Sequence, residues 1–287
     1  MLNILLAAML AQAVPAAATL PSDPVAADWV AVPDDELMVF TLANGHRFTV
    51  RLAPRYAPVH VANIRKLARA HWWDAGTSVY RVQDNYVAQW GDATEKKPLV
   101  AGVVANLPAE YSHAGPTTLA RLSQRDPYAE WAGYSRDGWP LAGNGATEWV
   151  PHCYGMVGVA RDLAPSTGSG AELYTVIGHS PRALDRNIAM VGRVIDGVEW
   201  LSPLPRGTGD LGFYKTDGER SPIVSARLAS ELPAAERPNF EYRATDNPRF
   251  VAWIASRGNR AGPFFTVPAG APTSVPRCPR CGKRPSG

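Results

Sequence analysis

Two β-rich runs, residues 36–43 (ELMVFTLA) and 46–52 (HRFTVRL), flank the dipeptide Asn44-Gly45. Asn-Gly is the strongest short-range signal for a two-residue hairpin, because both central positions of that turn need a positive φ. The chain is thereby committed to antiparallel β structure near its start. Pro58 then opens residues 59–70 (VHVANIRKLARA), where Val61, Ile64, Leu67 and Ala68 recur at helical spacing. A helix packing back on the hairpin is expected.

Short β-rich runs continue at 77–82, 86–89, 155–159, 173–177, 188–194 and 222–228, with a short helix over 197–201. Gly and Pro make up 51 of the 287 residues, while 46% are hydrophobic. That share is well above the roughly 12% of average usage, and helix interiors disfavour both residues. An all-helical bundle is excluded. Many short strands with few helices predict a mainly β chain, a barrel or a sandwich.

Residues 1–18 read as a signal peptide: an apolar run at 2–14 is followed by Pro15 and the small residues Ala16, Ala17 and Ala18. The run is too short to span a membrane, for which about 20 apolar residues are needed. An exported, periplasmic protein is expected after cleavage. Residues 19–35 are Pro-, Ala- and Asp-rich and read as an extended linker. Residues 36–232 read as one domain, interrupted at 93–151 by a stretch without sustained periodicity that reads as a loop insertion. Residues 233–287 read as a partly flexible C-terminal extension.

Basic residues number 29 against 26 acidic, five of them Lys and the rest Arg, and no block of five like charges occurs. A nucleic-acid binder is not expected from this pattern. Three cysteines stand at Cys153, Cys278 and Cys281. The C-terminal pair is half a zinc site that only His152 and Cys153 complete within the chain, or a disulfide in an oxidising compartment, or part of a Pro-rich tail. The segment 207–212 (GTGDLG) matches GxGxxG in form, but it follows a Pro-rich stretch and opens no helix, so it is not read as a phosphate cradle.

One ordered set of motifs carries chemistry. Ala57-Pro58-Val59-His60-Val61-Ala62-Asn63 is followed by Val79-Tyr80-Arg81-Val82 and then by Tyr86-Val87-Ala88-Gln89-Trp90-Gly91-Asp92. Further on come 155–160 (GMVGVA), 170–174 (GAELY), and Leu184-Asp185 leading to 191–194 (VGRV). In this order the motifs resemble the cyclophilin-type peptidyl-prolyl isomerases over about 36–92 and 155–232. The resemblance implies a closed antiparallel barrel of about eight strands capped by helices. It also implies an isomerase of proline-containing polypeptides that uses no cofactor or metal and assists the folding of exported proteins. Carried over position by position, it makes Arg81 the catalytic residue. Tyr86, Val87, Gln89, Ala160, Glu172, Tyr174 and Leu184 become the substrate-binding set.

The chemistry agrees with that assignment. Rotation about an X-Pro bond crosses a barrier of about 18–20 kcal/mol set by amide resonance, and no bond is made or broken. Twisting localises a lone pair on the prolyl nitrogen, so a fixed, permanently charged donor aimed there favours the twisted state over the planar one. The chain departs from the family's pattern at Glu172 (glutamine in the family), Leu173 (phenylalanine), Ala183 (tryptophan) and Ile188 (histidine). Glu172 either pairs with Arg81 and holds it or withdraws it from substrate. A non-catalytic proline-peptide-binding module on the same barrel, with residues 93–151 serving a partner, is the alternative.

Overall fold

The computed structural model describes residues 23–123, 126–258, 260 and 263–267, and the backbone of 282–283. Strand β1 (Trp29–Ala31) precedes the expected hairpin, which is β2 (Leu37–Leu42) and β3 (Arg47–Leu52). Helix α1 (Pro58–Arg69) follows, then β4 (Ser78–Val82) and β5 (Val87–Gly91). Five short strands come next: β6 (His113–Ala114), β7 (Thr118–Arg121), β8 (Trp131–Ser135), β9 (Pro140–Asn144) and β10 (Thr147–Trp149). The chain returns through β11 (Met156–Val159), β12 (Leu173–Val176), β13 (Met190–Asp196) and β14 (Ser221–Leu228). It ends in β15 (Phe240–Arg243), helix α2 (Pro248–Gly258) and β16 (Gly282–Lys283).

Eight strands close into an antiparallel barrel in the order β11-β12-β5-β4-β14-β2-β3-β13. Closure leaves no free edge to template aggregation. Alternation along each strand sends one set of side chains inward. Phe40 and Phe48, paired in register, stack at 4.8 Å, and Trp90 meets them edge-on at 5.6 and 5.2 Å. On α1, Pro58 sits at a helix start, where the missing N–H has no intrahelical partner to lose. Val61, Ile64, Leu67 and Ala68 are buried in the same core, as the helical spacing predicts. The first-turn amides of Val59 and His60 donate to the Glu110 carboxylate at 2.9 and 3.0 Å, which places an anion at the positive end of the helix.

The region expected as loops is built differently. Strands β6-β10-β9-β8-β7 form a five-stranded antiparallel sheet within residues 113–149. Its two longest strands, β8 and β9, are buried at nearly every position, so they lack the alternation that marks a half-exposed strand. Trp131, Trp139 and Leu141 from this sheet share one apolar cluster with Val87, Met156, Tyr174 and Val176 on the outer face of the barrel. Part of the outer face of barrel strands β5 and β12 is therefore covered as well.

The expected linker and extension are also ordered in part. β1 pairs with β15, and the buried Asp28 accepts from Arg249 Nε at 2.8 Å. Phe250 and Ile254 of α2 pack on Ala120 and Tyr134 of the five-stranded sheet. Arg51 of β3 is clamped between Trp139 and Tyr242, with its guanidinium carbon 4.9 and 4.4 Å from the two ring centres. The expected signal peptide and the pair Cys278 and Cys281 lie outside the described residues. No helix among the described residues is long and apolar enough to cross a membrane.

Candidate active site

A cleft of about 710 Å³ opens on the outer face of the barrel. Arg81, Tyr86, Val87, Gln89, Ala160, Glu172, Tyr174 and Leu184 all line it, together with Ile188. All eight residues singled out from the sequence thus share one surface. Sheet register explains why. Arg81 on β4 pairs with Gln89 on β5, Gln89 pairs with Tyr174 on β12, and Tyr174 pairs with Gly158 on β11. These four positions form one cross-strand row. Val87 lies two residues from Gln89 and Glu172 two from Tyr174, so each joins the same face. Leu173, one residue off, points into the barrel core instead.

β4 carries an irregularity where it matters. Between the pairs Val79 with Trp90 and Arg81 with Gln89, β4 advances two residues while β5 advances one. Tyr80 is the extra residue of this bulge, and both Tyr80 and Arg81 line the cleft although strict alternation would part them.

Arg81 is fixed by three uncharged acceptors. Its Nε donates to the Leu211 carbonyl at 2.8 Å, Nη1 to Gln89 Oε1 at 3.0 Å and Nη2 to Gln83 Oε1 at 2.6 Å. The guanidinium carbon stands 5.1 Å from the centre of the Phe213 ring and 5.7 Å from that of Tyr86. Partial burial lowers its pKa from the ordinary arginine value. Three of its five N–H groups are used, which leaves two.

Glu172 does not pair with Arg81. Its Oε2 accepts from the Tyr80 hydroxyl at 2.7 Å and its Oε1 from the Asp92 amide at 2.7 Å. Gln89 Nε2 donates to the Tyr80 oxygen at 2.5 Å, so a chain of bonds runs from Arg81 through Gln89 and Tyr80 to Glu172. Burial pushes the Glu172 carboxyl up to about 7, against the lowering effect of its two donors. Asp92 closes a turn by accepting from the amides of Thr94, Lys96 and Lys97.

Sequence reasoning missed Leu211 and Phe213. Both lie in or beside the GxGxxG look-alike, which folds back so tightly that a Cβ on Gly207 would stand 2.1 Å from the Gly212 carbonyl oxygen. Its glycines serve this close approach and bring a carbonyl and a ring to Arg81. The signal was visible, but local sequence does not say which strand such a loop meets. Both ring nitrogens of His152, which the zinc alternative would need as a ligand, are engaged by Asp185 and Tyr174. Burial pushes the Cys153 thiol up to about 12.

Residues 37–227 match the family model described as cyclophilin-type peptidyl-prolyl cis-trans isomerase. The chain belongs to the cyclophilins. A crystal structure of a cyclophilin from Hirschia baltica, AquaCyp293, superposes with a TM-score of 0.66 at 26% identity, covering 80% of this chain and 87% of the other. A cyclophilin-type isomerase of Cryptosporidium parvum, crystallised in the presence of the dipeptide Ala-Pro, gives a TM-score of 0.40 at 12% identity, over 67% of this chain and 98% of the other. No curated protein matches the chain. The mainly β fold, with its closed eight-stranded barrel and, among the described residues, two α-helices, is the cyclophilin fold. Membership makes the protein a peptidyl-prolyl cis-trans isomerase whose domain binds proline-containing peptides.

Proposed function

We propose that Arg81 performs the isomerisation by stabilising the twisted prolyl amide, and that the substrates are other exported proteins at slow X-Pro steps of their folding. One observation carries the catalytic part: a guanidinium held by three neutral acceptors in the same cleft as Tyr86, Val87, Ala160, Tyr174 and Leu184. No carboxylate is among those acceptors, so the charge is left for substrate. In the planar amide the nitrogen lone pair is delocalised and accepts poorly. In the twisted amide it is localised, and a donor already in place strengthens at that moment without reorganisation. Tyr86, Val87, Tyr174, Leu184 and Ala160 offer the ring a largely apolar seat while the acyl side turns, and Gln89 and Glu172 hold the polar side of the cleft.

A protease-coupled isomerisation assay with a proline peptide tests this reading. Arg81→Ala is expected to lower kcat/KM about a hundredfold, the cost of one preorganised donor. A wild-type protein that binds the peptide without accelerating rotation would establish the non-catalytic module instead. The exported setting rests on residues 1–18 alone, and sequencing the mature N-terminus tests it: an intact Met1 removes it.

A further inference from the structure

We infer that His152, three residues beyond the end of β10, is a positioning residue for the proline pocket, holding the Tyr174 ring through its hydroxyl. The inference rests on the reading of Tyr174 as a wall of that pocket.

His152 is fully buried. Its Nε2 lies 2.8 Å from the Tyr174 hydroxyl and its Nδ1 3.0 Å from Asp185 Oδ1. The backbone amide of His152 donates to the same Asp185 oxygen at 2.8 Å. The other Asp185 oxygen accepts from Trp149 Nε1 at 3.1 Å and from Arg182 Nε at 3.0 Å, and Arg182 Nη1 donates to Asp126 at 2.9 Å. Burial would raise the Asp185 carboxyl, but the bonds from His152 and the charge of Arg182 hold it below the usual range. Against an ionised carboxylate Nδ1 donates, and Nε2 forms the second bond, with the Tyr174 hydroxyl.

The neighbouring strand β11 also makes room for the Tyr174 hydroxyl. Tyr174 pairs in register with Gly158, and a Cβ on Gly158 would stand 2.4 Å from the Tyr174 hydroxyl oxygen. Glycine there opens the room that the hydroxyl occupies. The His152 and Tyr174 rings lie nearly parallel, 13° apart with centres at 6.2 Å. The same ring of Tyr174 borders the cleft two strands from Arg81. Hydroxyl, histidine and glycine are thus one arrangement, and the segment that leads from the inserted sheet back to the barrel supplies its anchor.

The test measures kcat, KM and calorimetric affinity for a short Ala-Pro peptide with the full chain, as wild type, Tyr174→Phe, His152→Ala and the double variant. Each single change is expected to raise KM and Kd about fivefold with kcat within about twofold, the pattern of a lost seat and not of a lost donor. The double variant is expected to be no worse than the worse single one, since both remove the same bond. A folded Tyr174→Phe with wild-type KM and Kd, or fully additive effects in the double variant, overturns the inference. If His152→Ala does not fold, Tyr174→Phe decides alone, because it keeps the ring and the histidine. A wild type without isomerase activity removes the catalytic reading, and the affinity measurements still test His152.

Discussion

Arg81 and Gln89 face each other across β4 and β5, joined by a bond of 3.0 Å from Arg81 Nη1 to Gln89 Oε1. Arginine has donors only, so the amide oxygen of Gln89 must point at it and the amide nitrogen must point away. The nitrogen finds the Tyr80 hydroxyl, which the β4 bulge has turned to the same side. One neutral side chain therefore orients the guanidinium on one flank and the Tyr80 to Glu172 bond on the other. The bulge is what places Tyr80 and Arg81, neighbours in sequence, within reach of one glutamine.

Gln89→Leu removes one of the three acceptors that aim Arg81. The guanidinium keeps Leu211 and Gln83 but gains rotational freedom toward solvent. We expect kcat/KM to fall about tenfold, with stability changed by only about 1 kcal/mol, the usual net worth of one hydrogen bond. Peptide kinetics beside urea unfolding check it. Wild-type kcat/KM in a folded variant would mean that Gln89 does not aim the donor.

Glu172 should give the protein a pH-dependent stability of unusual sign for a carboxylate. Its folded pKa, raised by burial to about 7, lies above the ordinary 4.5, so the native state binds a proton that the unfolded chain releases. Its contribution is therefore full below about 4.5, is lost as pH rises through the window to about 7, and is constant above it. Glu172→Gln cannot ionise and should gain on wild type across that window, by on the order of 3 kcal/mol at most. Urea unfolding of both proteins at pH 4.5 and pH 8 measures the difference. An equal gap at the two pH values would show that Glu172 titrates normally.

Much of the barrel, and the set of eight residues that the structure gathers in one cleft, were legible because the signals are local: a turn dipeptide, a helical period, and motif runs in a fixed order. Glu172 shows where local signals stop. The substitution was visible, but its partners Tyr80 and Asp92 come from β4 and from the turn after β5, so only register could assign them. The inserted sheet was illegible for a different reason. In β8 and β9, packing on both faces removes the alternation that would have announced them, and Gly133, Gly143 and Pro140 read locally as loop residues. His152 depends on the first effect, since its partners Tyr174 and Asp185 come from β12 and from the segment between β12 and β13.

Arg51 tests whether that sheet and the C-terminal segment stabilise the barrel. Its side chain is 4% exposed, stacks between Trp139 and Tyr242, and donates to the Asp137 carbonyl at 3.0 Å. Arg51→Ala loses this clamp and leaves Glu36, already raised by burial, without its cation. A loss of about 2–4 kcal/mol is expected, combining the cation–π contacts with a broken buried pair. Chemical unfolding gives the value, and kcat/KM of the folded fraction should stay at wild type. A change under about 0.5 kcal/mol, the range of ordinary surface substitutions, would show that the added layers do not support the barrel through Arg51.

Gly207 links the look-alike motif to the chemistry. A Cβ there would meet the Gly212 and Phe213 backbone at 2.1 and 2.6 Å, and backbone cannot yield as a flexible side chain does. Gly207→Ala must therefore push the 207–213 turn open. That turn carries the Leu211 carbonyl bound to Arg81 Nε, and Phe213 forms a β-bridge with Arg81. The loop is at the surface and can open toward solvent, so stability should fall by only about 1–2 kcal/mol. The aim of the guanidinium should suffer more, with kcat/KM down about tenfold or beyond, since small misplacements at a donor cost rate steeply. Gly218→Ala is the control, for nothing stands within 4 Å of its Cβ position. If Gly207→Ala and Gly218→Ala turn over alike, the turn does not position Arg81, and Gln83 and Gln89 suffice to hold it.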